Sequence, residues 1–154
     1  MREALLFIHP TLGVLGILGA VWVFVEALSV EESRLRRMRI MSIIVAVLFL
    51  LTWISGGLWD SFYYGADRMM AAKGSWVAVG DIAMEFKEHL FVLILLLSLY
   101  LPVLTYRLDL QNTVARTSIL TVAALIVVFG LAMEGAGATL AGSVHVGMET
   151  MMPS

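Results

Sequence analysis

Long apolar runs, rather than strict alternation, set the hydrophobic pattern of this chain. They cover Ala4–Leu28, Ile40–Trp59, Leu90–Leu104 with its flanks, and Ser118–Ala141, and a helix needs about 20 such residues to cross a bilayer. The pattern predicts helices over about 4–28, 39–60, 80–106 and 117–142. The expected fold is all-α, an integral membrane four-helix up-and-down bundle forming one domain. Short links make the first and second helices, and the third and fourth, antiparallel neighbours. The connection 61–79 is too long for a turn, and its aromatic and methionine content points to a segment lying along the membrane surface. The first run exceeds an ordinary signal-peptide core and is expected to be a retained helix, with Pro10 in its first turn.

Polar positions at helical spacing mark candidate sites on all four of these helices. Asp81, Met84, Glu85, Glu88 and His89 recur at intervals of three and four, placing carboxylates and an imidazole on one face. On the first helix His9, Gly13, Gly16 and Ala20 share a stripe, leaving a groove free of side chains beneath the imidazole, or alternatively a face for close helix packing. On the fourth, Glu134 lies between Gly130 and Gly137 near the membrane boundary. An ionisable group at that depth is costly and faces the bundle interior by default. Thr52, Gly56 and Asp60 align at the end of the second helix.

Composition agrees with a membrane protein: 60% of residues are hydrophobic and only 14% charged, against roughly a quarter charged in soluble domains. With no cysteine, disulfides, iron–sulfur clusters and covalently attached haem are excluded. No basic patch with interleaved aromatics points to nucleic acid. Arg34, Arg36, Arg37 and Arg39 in one link, with Arg107 and Arg116 in the other, mark the cytoplasmic side of an inner membrane. Both termini and the 61–79 connection are then expected outside, and so are His9, His89 and His145, the only 3 histidines.

Three functions remain open. The leading one is electron transfer through one haem b near the outer surface, clamped by His9 and His89 over the Gly13 and Gly16 groove, with Arg68, Lys73 or Lys87 beside its propionates. Glu134 would then take a proton from a quinol. The second is a non-haem iron, copper or zinc site built from His9 and His89 with Glu85, Glu134 and His145. The third is a structural subunit, packing into a larger membrane complex or a homo-oligomer.

His9 early in the first helix, SGGLW closing the second and KEHLF opening the third together resemble the small four-helix b-type membrane cytochromes. That resemblance implies electron transfer, often with quinone, and His9 and His89 as axial ligands. Members with two haems use four histidines, so the resemblance implies a single haem here.

Overall fold

The computed structural model describes residues 1–29, 31–109 and 111–151. Its elements are α1 (Arg2–Ala27), α2 (Glu32–Trp59), a π-helical turn at Asp60–Tyr64, α3 (Gly65–Ala71), α4 (Val77–Arg107) and α5 (Thr113–Glu149). The fold is an all-α four-helix bundle. Each of its four helical rods, α2 being continued through α3, is long and apolar enough to cross a membrane. α1 packs on α2 and α5, and α4 packs on the same two, so α1 and α4 are diagonal. Met1 and Met151 lie at one end with the 60–76 connection, here called the near end; the links at 28–31 and 108–112 form the far end.

The core is a narrow aliphatic column. It takes Ile17, Ala20 and Val23 from α1, Met38, Val45 and Phe49 from α2, Ile94 and Leu101 from α4, and Ile119, Ala123 and Ile126 from α5. Lipid is as apolar as this column, so close packing rather than water exclusion holds the helices together. The glycines show how. A Cβ on Gly16 would come within 2.9 Å of the Phe49 ring, one on Gly19 within 2.7 Å of Val45, and one on Gly130 within 2.6 Å of Ile17. The Gly13 and Gly16 stripe is therefore not an open groove: Phe49 fills it at Gly16, and the Glu134 carboxylate stands over Gly13.

Polar contacts fasten the far end. Arg37 Nε donates to Glu26 Oε1 at 2.8 Å and its Nη2 to Oε2 at 3.3 Å, while Trp22 Nε1 reaches the same carboxylate at 3.2 Å. Ser42 and Thr105 share a hydroxyl bond of 2.9 Å, and Arg39 Nε donates to the Thr105 carbonyl at 3.0 Å. The segment expected as a charged link is thus mostly helix. Between Glu32 and Arg39 there is no Gly or Pro, and Leu, Met and Arg are strong helix formers.

Two other boundaries differ from expectation. Pro10 sits inside α1 rather than in its first turn, because helical geometry begins at Arg2. α5 runs to Glu149, so His145 is helical instead of lying in a tail. The near-end cap gives this extension something to pack on. The backbone of Gly147 abuts that of Met70, and Gly74 closes on Gly147. Two ion pairs tie the cap down: Arg2 to Asp67, and Arg68 to Asp81 through bonds of 2.7 and 2.9 Å.

Candidate functional site

His9 points from α1 into the bundle near its near end. Its Nδ1 lies 2.9 Å from the Thr52 carbonyl on α2. A carbonyl only accepts, so Nδ1 carries the proton and Nε2 of the neutral ring is left with an unused lone pair. The ring fits because position 56 is glycine: a Cβ there would stand 2.6 Å from the imidazole Cε1. The small residues in SGGLW thus make room for an imidazole from the neighbouring helix.

Two further polar groups face the same space. Glu134 projects from α5, with Oε1 2.8 Å from where a Gly13 Cβ would be, and Lys87 projects from α4 towards Gly137, whose Cβ would lie 3.7 Å from the ammonium. Neither Lys87 nor Glu134 forms an ion pair among the described residues. Both are half-buried, and an ionised group taken from water gains stability only through partners.

These three side chains line a cavity of about 530 Å³. Below them its walls are apolar: Ile17, Phe49, Phe91, Ile94 and Met133. Towards the near end it reaches the paired Arg2 and Asp67. A second cavity of about 210 Å³ lies between α2 and α4, bounded by Asp60, Glu88, Gly56 and Gly57. His9, Lys87 and Thr52 border both. Trp59 borders both as well, and its indole Nε1 is buried with no acceptor among the described residues.

The remaining expected residues fall elsewhere. His89 is exposed, its Nδ1 is 2.8 Å from the Glu85 carbonyl of its own helix, and it lines neither cavity. Two axial imidazoles must face each other across one porphyrin. His9 and His89 do not, and Phe49 and Glu134 occupy the faces of Gly16 and Gly13 where the ring was expected to lie, so this arrangement does not fit that clamp. His145 is exposed and 3.2 Å from Glu149, Glu85 is exposed, and no three His, Asp or Glu side chains converge on a metal position among the described residues. Arg68 is committed to Asp81, and Lys73 Nζ lies 3.2 Å from the Met151 sulfur.

Lys87, Thr52 and Trp59 are site residues that sequence reasoning did not assign to the interior. The signal for Lys87 was its register with Gly80, Ala83, Met84 and Ile94, the buried stripe of α4. No protein-family model, curated protein or solved structure matches the chain.

Proposed function

We propose that this chain is a quinol- or quinone-binding protein of an inner-membrane redox chain, with the ligand's head between His9, Lys87 and Glu134. The observation that carries this reading is the cavity itself, apolar through most of its wall and polar at one end, where the Lys87 ammonium, the Glu134 carboxylate and His9 Nε2 have no hydrogen-bond partner among the described residues. Such a pocket suits a ligand with an apolar body and a head that both donates and accepts. Lys87 would donate to a quinone oxygen, while Glu134 and His9 Nε2 would accept from quinol hydroxyls. Oxidation of a quinol releases two protons and two electrons; Glu134 takes one proton at a carboxylate oxygen, His9 takes the other at Nε2, and both electrons leave to a redox partner. The Arg cluster around Arg34–Arg39 favours an orientation with the near end outside.

Titration of the detergent-purified protein with decylubiquinol under anaerobic, reducing conditions, followed by quenching of tryptophan fluorescence, tests the assignment. Saturable binding is expected, weakened about tenfold or more in Glu134→Gln because a charged hydrogen bond is lost, about 1.5–3 kcal/mol. No saturable quenching in the wild type would remove the quinol reading. A reduced-minus-oxidised visible spectrum of the same sample tests the haem alternative. Haem bands that vanish in His9→Ala would return haem electron transfer to first place.

A further inference from the structure

The two cavities share a wall, and carboxylates stand on both sides of it. Glu134 faces the larger space; Asp60 and Glu88 face the smaller one, which lies beside the exposed Trp53 and Val92. Lys87 is in the wall itself, bordering both cavities, and its ammonium is attracted by Glu134 on one side and Asp60 on the other. Its four-carbon stem is flexible, and no ion pair among the described residues holds its head to either acid. Asp60 opens the π-helical turn, a local irregularity that helices carry frequently at functional positions.

We infer that Lys87 is a proton relay between Glu134 in the larger cavity and Asp60 in the smaller one, giving the interior carboxyl a route to water separate from the mouth at Arg2 and Asp67. In the transfer an N–H bond of the ammonium breaks as an O–H bond forms on one carboxylate. The neutral amine is then reprotonated by the carboxylic acid on the other side. One proton moves, no electron does, and the lysine returns to its starting state. Glu88, exposed at the rim, passes the proton to bulk water. The other charged or titratable groups lining the larger cavity are His9 and Arg2 from α1 and Asp67 from α3. Arg2 and Asp67 are engaged with each other, and His9 Nδ1–H is held by the Thr52 carbonyl. Lysine suits the role because a desolvated ammonium can give up its proton, whereas a guanidinium does not.

The inference concerns the protein without ligand, so it stands apart from the quinol reading. The test is infrared spectroscopy of the full chain in a lipid film as H2O is replaced by D2O. The carboxylic acid band of Glu134 is identified by its loss in Glu134→Gln. Wild-type protein is expected to shift this band as fast as the solvent exchanges, and Lys87→Arg to shift it at least about tenfold more slowly, although the positive charge is kept. Asp60→Asn, at the rim and less exposed to folding defects, is expected to slow it likewise. Wild-type rates in both variants would overturn the relay and leave the mouth at Arg2 and Asp67 as the path. The absence of any Glu134 acid band at every pH where the protein stays folded would overturn it too.

Discussion

Gly56 and Gly57 are adjacent on α2, yet a methyl group has opposite consequences at each. A Cβ at Gly56 would press on the His9 ring at 2.6 Å, while one at Gly57 meets nothing within 4 Å. Gly56→Ala must push the imidazole off the Thr52 carbonyl, with overpacking costing about 1–3 kcal/mol against a helix-propensity gain of about 0.5–1 kcal/mol. We expect it to weaken quinol binding about tenfold, on the order of one hydrogen bond. Gly57→Ala should bind normally and unfold no more easily. Equal quinol titrations for the two variants would show that the His9 position is immaterial. The parts of this site visible in the sequence were those where residue type and depth conflict: a carboxylate at Glu134 and an imidazole at His9, both set in apolar helices. His89 shows that charge alone does not mark the face a helix turns inward: it is exposed and lines neither cavity. It lies two positions from Lys87, which on a helix is nearly the opposite side, and the side facing the cavities is that of Lys87.

At the scale of elements, the number and kind of helices could be recognised because a span of apolar residues has a fixed length requirement. Their facing was harder. In lipid, hydrophobicity does not separate inside from outside, so Val92 and Leu96 are exposed while Ser98 and Thr105 are fully buried on the same helix. Small residues were the better guide, as Gly16, Gly19 and Gly130 demonstrate. The bonds that accompany them are individually weak. Thr105→Val keeps the shape and loses the hydroxyl shared with Ser42, but Ser42 retains its 2.7 Å bond to the Arg39 carbonyl. Interhelical hydrogen bonds in membranes average about 0.6 kcal/mol and reach about 1.7 kcal/mol, so a loss within that span is expected in mixed-micelle unfolding. A larger loss would mean that the α2–α4 seam depends on this contact far more than packing implies. The near-end cap should behave differently. Asp67→Asn with Asp81→Asn removes the charge from one partner of each ion pair that holds α3 to α1 and α4. Faster protease cleavage between Gly65 and Asp81, with the four long helices retained by circular dichroism, is expected; an unchanged rate would assign the cap's order to its glycine contacts with α5.

For the whole molecule, the far end concentrates Arg34, Arg36, Arg37, Arg39, Arg107 and Arg116, while the near end carries the cavity and the two-pair cap. This asymmetry ties orientation to function. On the proposed reading, a cavity that reaches the near end would exchange protons and electrons with whichever compartment that end faces, and the arginine excess at the far end favours the side opposite the cytoplasm. Arg37 also answers a structural demand, since it pairs with Glu26, and Arg39 bonds the Thr105 carbonyl. The topogenic weight therefore rests more on Arg34 and Arg36, together with Arg107 and Arg116. The chain has no cysteine, so single thiols can be introduced without background. Lys73→Cys in the near-end connection should react in intact cells with a membrane-impermeant maleimide, and Asp109→Cys in the far-end link only after the membrane is broken. The reverse pattern would turn the protein over. The proton route through Lys87 and Asp60 would then discharge into the cytoplasm, and a redox partner would have to be sought there.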